Sequence, residues 1–126
     1  MSAEFEIRAA IARQAQAWQS GQPEQIVADF AEDCTFIVPG KRVQGREAVQ
    51  AMAADYFANF TQVEIAVQRI VVEGNTAAVE WSWREVNRQT GETSYAEDAI
   101  VLAVREGGGI QYWREYIDTT SPTEQH

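Results

Sequence analysis

Apolar residues recur about every 3.6 positions in the first half of this chain and every second position in the rest. Phe5, Ala9, Ile11, Ala12, Ala15 and Trp18 predict a first helix. Ser2 can cap it, Glu4 and Glu6 suit its first turn, and Ser20-Gly21 ends it. Pro23 suits the opening of a second helix, which would bury Ile26, Val27 and Phe30 and end near Glu32-Asp33. Cys34 to Val38 reads as a short strand closed by Pro39-Gly40, and Lys41 to Val43 as at most a stub. After Gly45 a third helix runs to about Asn59, with Val49, Met52, Ala53, Tyr56 and Phe57 inward.

Strands follow. Thr61 to Glu73 alternates through Val63, Ile65 and Val67, then changes phase to Ile70 and Val72, which predicts a bulge near Gln68-Arg69. Gly74-Asn75 makes a hairpin into Thr76 to Asn87, with Ala77, Val79, Trp81 and Trp83 on one face. Glu92 to Val104 is apolar on both faces after Asp98, as a central strand would be. Beyond the Gly107 to Gly109 turn, Ile110 to Asp118 places Ile110, Tyr112, Arg114, Tyr116 and Asp118 on one face. Gln111, Trp113, Glu115 and Ile117 take the other. Thr119 to His126 reads as a frayed tail.

Helices that precede a strand meander imply an α+β fold, a curved, mainly antiparallel sheet with three N-terminal helices on one face. The 126 residues suit one domain, 1–126, with a core over about 5–119 and a flexible tail over 120–126. The net charge of −9 argues against nucleic acid or an anionic membrane as partner, because both need a cationic patch. No apolar run approaches the roughly 18 residues of a membrane span. The acidic start lacks the plan of a signal peptide, and a cytoplasmic location is the expectation. Cys34 is the one cysteine, beside Asp33 and no adjacent cation, and reads as a buried inert thiol. His126 is the one histidine, so a histidine triad or histidine metal site is not expected, nor is any cofactor. The three glycines lie between strands and do not open a helix, so they make no phosphate loop.

This order resembles the SnoaL-like branch of the nuclear transport factor 2-like superfamily over about residues 5–119. The likeness rests on Trp18-Gln-Ser-Gly21, Phe30-Ala-Glu-Asp33, Gly45-Arg-Glu-Ala48 and the closing Trp113-Arg-Glu-Tyr-Ile-Asp118. It implies a cone whose sheet wraps a cavity that the helices close, and a homodimer through the outer sheet face. In the limonene epoxide hydrolases a catalytic Asp stands where this chain has Glu115, and their Arg-x-Asp pair falls on Trp81 and Trp83 here. In the ketosteroid isomerases the tyrosine donor and aspartate base fall on Gln14 and Val38, with a second acid near Glu97 or Asp98. The SnoaL-type polyketide cyclases use one acid/base carboxylate in an apolar cavity, a role open to Glu115 or Glu97.

The site that the resemblance implies has Glu115 and Glu97 as acid/base candidates. Gln14, Trp18, Phe36, Tyr56, Trp81, Trp83 and Trp113 are its pocket residues. The ligand expected is an apolar or aromatic small molecule, since a flat indole lining suits a ring. A carboxylate among indoles loses water, and its pKa rises toward a range useful for proton transfer. The residues leave other readings open. Aromatic side chains at strand spacing also build cores, and Glu115 can pair with an arginine at a rim. The functions that remain are an isomerase, cyclase or hydrolase without cofactor, a non-catalytic binder, or a dimerisation and docking module with a filled cone.

Overall fold

The structure is a computed structural model and describes residues 3–120. The Ser2 cap, the tail beyond Thr120 and His126 lie outside the described residues. Helix α1 spans Ala3–Ser20, α2 Pro23–Val27 and α3 Arg46–Asn59. Six strands, β1 Phe30–Val38, β2 Lys41–Gln44, β3 Phe60–Glu73, β4 Thr76–Asn87, β5 Thr93–Val104 and β6 Ile110–Asp118, form one sheet in the order β2-β1-β6-β5-β4-β3. Every pairing is antiparallel except β1 with β6, which is parallel. No helix among the described residues is long and apolar enough to cross a membrane.

Helix α2, strand β2 and the start of β6 differ from the sequence reading, and for α2 and β6 the reason is non-local. Helix α2 stops at Val27, and Phe30 belongs to β1. The cause is the parallel partner: Phe30 registers with Ile110, whose N–H donates to the Asp29 carbonyl at 2.7 Å. The Arg46 guanidinium also donates to the Phe30 carbonyl, at 2.7 and 3.1 Å. Residues 41–44, read as a stub, form a full edge strand on β1. Ile110, assigned outward with Tyr112, is buried, because the register slips between Ala103 and Val104 and turns it to the core. A one-residue slip moves a side chain to the other face.

The inward stripe of α1 is Ile7, Ala10, Ile11, Gln14, Ala15, Ala17 and Trp18. Phe5 is exposed, so the helix is rotated from the stripe drawn through it. Sheet curvature comes from β3, whose register shifts between Thr61 and Glu64 and again between Val67 and Arg69. The second shift is the bulge expected near Gln68. The curled sheet stays open at β2 and β3 and holds the helices in its concave face.

Gly109 fixes the approach of the β5–β6 turn to β1. Its φ is +99°, and a Cβ there would meet the backbone and Cβ of Ala31 at 3.4 Å. Gly109→Ala should cost about 1–3 kcal/mol through backbone strain, read as a lower urea midpoint at unchanged slope.

Candidate functional site

Side chains alternate along β4, β5 and β6, and the register decides which of them meet. Trp81 pairs with Asp98, which pairs with Ile117; Ile100 pairs with Glu115. Directly paired residues share a face, so Trp81, Trp83 and Glu85 on β4 look the same way as Asp98 on β5 and Trp113, Glu115 and Ile117 on β6. That face meets α1 and α3 across a cavity of about 330 Å³. Trp18, Phe36, Met52, Tyr56 and Trp83 form much of its wall, with Glu85, Asp98 and Glu115 as its carboxyl groups. Lys41, Ser94, Tyr95 and Thr119 line it as well, and each of these four is exposed. The volume is at the small end of the roughly 300–1,000 Å³ common for ligand pockets.

Of the residues singled out from sequence, Trp18, Phe36, Tyr56, Trp83 and Glu115 line this cavity. Gln14 does not. It is fully buried, donating its amide N–H to the Ile26 carbonyl at 2.8 Å and accepting the Trp18 indole N–H at 3.2 Å. Trp81 and Trp113 are packed behind the wall, 1% and 0% exposed, with centroids 5.8 Å apart. Parity puts them on the right face, but depth in the cone makes them core. Glu97 is on the opposite face from Glu115, because it is Asp98 that registers with Trp81. The inward acid of β5 is therefore Asp98, which is 4% exposed. Glu85 was missed, although it follows Trp81 and Trp83 at the same two-residue spacing.

The carboxyl groups fall into two arrangements. Asp98 and Glu115 touch each other, each backed by an indole. Trp113 Nε1–H donates to Glu115 Oε1 at 2.9 Å, and Trp81 Nε1–H to Asp98 Oδ2 at 3.4 Å. Burial drives the Glu115 carboxyl well above its ordinary range, and the neighbouring Asp98 charge adds to this, against the pull of the Trp113 N–H. Asp98 is also pushed up, first by burial. Two buried carboxylates cannot both be charged cheaply, so they hold a proton between them. Asp98 Oδ1 fits this account. It is buried with no N–H or O–H donor among the described residues, and a proton on Glu115 is the donor that would reach the Asp98 carboxylate.

In the second arrangement Tyr56 O–H donates to Glu85 Oε1, and Trp83 Nε1–H is shared between the same oxygen and the Tyr56 hydroxyl, at 3.0 Å each. Burial, then the bond to Glu85, raises the Tyr56 pKa far above its ordinary value, so the phenol stays neutral. Cys34 is buried away from the cavity, and burial pushes its thiol up, which makes it unreactive.

A family model described as SnoaL-like domain matches residues 11–113. Among solved structures, the chain is similar to a Catenulispora acidiphila protein of ketosteroid isomerase-like fold in complex with trimethylamine. The TM-score is 0.81 at 21% identity, over 92% of this chain and 90% of that one. It is similar to SalBIII, an epoxide hydrolase/cyclase-like enzyme with a role in pyran ring formation in the polyether salinomycin. Here the TM-score is 0.81 at 20% identity, over 93% and 94%. It is also similar to an LEH-like epoxide hydrolase of M. tuberculosis, at TM-score 0.78 and 19% identity, over 90% and 84%. These three likenesses show a shared fold. A search of curated protein sequences returns no match at a significant level.

Proposed function

The chain belongs to the SnoaL-like domain family, and from that premise we propose that it is a cofactor-independent acid/base enzyme acting on a small ring-containing substrate. One observation carries the reading: two buried carboxyl groups, Asp98 and Glu115, meet at the wall of a largely aromatic cavity, an arrangement that favours one proton between them. A proton held at raised pKa is available near neutral pH, where a solvated carboxyl would have lost it. In this mechanism Glu115 gives its proton to a carbonyl, ether or epoxide oxygen as negative charge develops there. Asp98 loses the bond from Glu115 and becomes the acceptor for a proton leaving the substrate. The net change is one proton on and one proton off, the balance needed for isomerisation through an enol or for ring closure by an internal hydroxyl. The Trp113 and Trp81 N–H groups hold the two carboxyls in place throughout.

The relatives support the choice of chemistry. The M. tuberculosis relative is an epoxide hydrolase, SalBIII is hydrolase/cyclase-like, and the C. acidiphila relative holds a small organic molecule. A panel of cyclic ketones, epoxides and hydroxy-epoxides tests the reading. Turnover of one of them that Glu115→Gln removes supports it; turnover that survives the substitution refutes the role given to Glu115.

A second reading, a binder without catalysis, is favoured by one observation. Trp81 and Trp83 occupy the positions that the resemblance gives to the hydrolases' Arg-x-Asp pair, and Trp81 is sealed in the core. A homodimer through the outer sheet face belongs to the proposal under either reading. That face carries Tyr112, Tyr116 and Arg114, whose guanidinium lies 4.9 Å from the Tyr116 ring centroid, and such residues are enriched at interfaces. Sedimentation should give a species of twice the 14.1 kDa chain mass, and Tyr116→Asp should convert it to monomer.

A further inference from the structure

We propose that the cavity selects a ring-bearing ammonium ion, a protonated amine whose nitrogen lies against Asp98 and Glu85 and whose ring rests on the aromatic wall. This deepens the preceding reading and rests on it for the location of the site, not for catalysis.

The first ground is what the site has left to offer a ligand. All four indole N–H groups of the chain are committed within the protein: Trp18 to Gln14, Trp81 to Asp98, Trp113 to Glu115, and Trp83 to Glu85 and Tyr56. The Tyr56 hydroxyl is committed to Glu85. The remaining side-chain N–H and O–H groups of the lining, on Lys41, Ser94, Tyr95 and Thr119, belong to exposed residues. Deep in the cavity a ligand therefore meets acceptors, ring faces and a single donor, the proton that Glu115 holds toward Asp98. A neutral carbonyl or an anion finds no second donor there, whereas an N–H cation finds several acceptors.

The second ground is a carboxylate oxygen with acceptor capacity to spare. Asp98 is 4% exposed and lines the cavity, and no donor of the described residues reaches its Oδ1 apart from the proton that Glu115 holds toward this carboxylate. A carboxylate oxygen accepts more than one hydrogen bond, and a ligand N–H would take the place left open. On the other arrangement, both protein donors converge on Oε1 of Glu85, so Oε2 is not engaged by them.

The third ground is charge and ring geometry. The carboxyl groups of the described lining, Glu85, Asp98 and Glu115, outnumber its one cation, the exposed Lys41. Trp18, Tyr56 and Trp83 meet pairwise at 77°, 63° and 74° with centroids 5.6–5.9 Å apart, so their faces turn in three directions. Aromatic faces beside carboxylates attract cations, most strongly where water is excluded.

The test is a charge series at constant shape. Binding of N,N-dimethylbenzylamine, protonated at pH 7, is compared with its neutral isostere isobutylbenzene and with benzyltrimethylammonium, which is cationic but has no N–H. Affinities are read by tryptophan fluorescence and calorimetry on the full chain. The amine should bind at least tenfold more tightly than isobutylbenzene and more tightly than benzyltrimethylammonium, and Glu85→Gln should reduce its advantage at least fivefold. Equal binding of amine and hydrocarbon, or no binding of any probe at millimolar concentration, overturns the proposal. The comparison uses the unaltered protein, so it stands even where a variant folds poorly. Turnover of a neutral substrate without any amine preference would overturn the ammonium assignment and leave the acid/base reading in place. Amine selectivity without turnover would do the reverse.

Discussion

Glu115→Gln is expected to lower turnover by about 100- to 10,000-fold, the usual contribution of a positioned acid or base, and to raise the melting temperature at pH 8. The two effects have one cause. In the folded chain both carboxyls titrate above their ordinary range, chiefly through burial. A carboxyl whose folded pKa is raised binds its proton more tightly folded than unfolded. Its contribution to stability is therefore present below the unfolded value of roughly 4 and is lost as pH climbs through the raised folded values. Each unit of upward shift removes about 1.4 kcal/mol once the pH exceeds it. Glutamine keeps the shape, accepts the Trp113 N–H and donates to Asp98, but has no proton to lose. The variant should match the parent near pH 4, about the unfolded value, and exceed it increasingly toward pH 8. Thermal melts across that range decide the matter, and a difference independent of pH would mean that the two carboxyls do not share a proton.

The sequence made the strands from 60 to 118 legible because their signal is local. Alternation and two turn signals placed β4 and β6 at the bounds the structure gives them, and the phase change in β3 located its second bulge. What it hid depends on partners far along the chain. Phe30 completes a helical stripe with Ile26 and Val27, and only the parallel pairing with Ile110 draws it into β1. Ile110 reads outward by parity until the register slip beside Ala103 reverses it.

The same contrast governs the site. Parity along β4 and β6 grouped three indoles with Glu115, but parity carries no depth. Trp83 stands where the cone opens toward α3, whereas Trp81 and Trp113 stand under packed aromatic rings. On β5 the apolar residues of both faces left Glu97 and Asp98 equivalent, and the pairing of Asp98 with Trp81 separates them. Glu85 was open to the same argument that selected Trp83. Its hydrogen bonds from Tyr56 and Trp83 need the tertiary fold, because Tyr56 comes from a helix 29 residues earlier.

Trp113 separates packing from proton chemistry in one position, and its two substitutions should behave differently. The ring is fully buried, lies 7° from parallel with Phe36 at 6.2 Å, and packs on Phe30 at 5.9 Å and Trp81 at 5.8 Å. Trp113→Ala leaves a cavity beneath the site and should cost about 3–5 kcal/mol, a large share of the roughly 5–15 kcal/mol that holds a domain folded. Most of that loss is apolar contact, so it should appear at pH 5 and pH 8 alike. Trp113→Phe keeps most of the ring contact but removes the N–H that lowers the Glu115 pKa. Glu115 then holds its proton still more tightly, and its ionisation costs more. The deficit of this variant should be small at pH 5 and grow toward pH 8, opposite in sign to the pH trend of Glu115→Gln. Urea denaturation at the two pH values reads both substitutions. A Trp113→Phe deficit equal at both would show that the indole serves the core alone, and that its N–H does not tune the Glu115 proton.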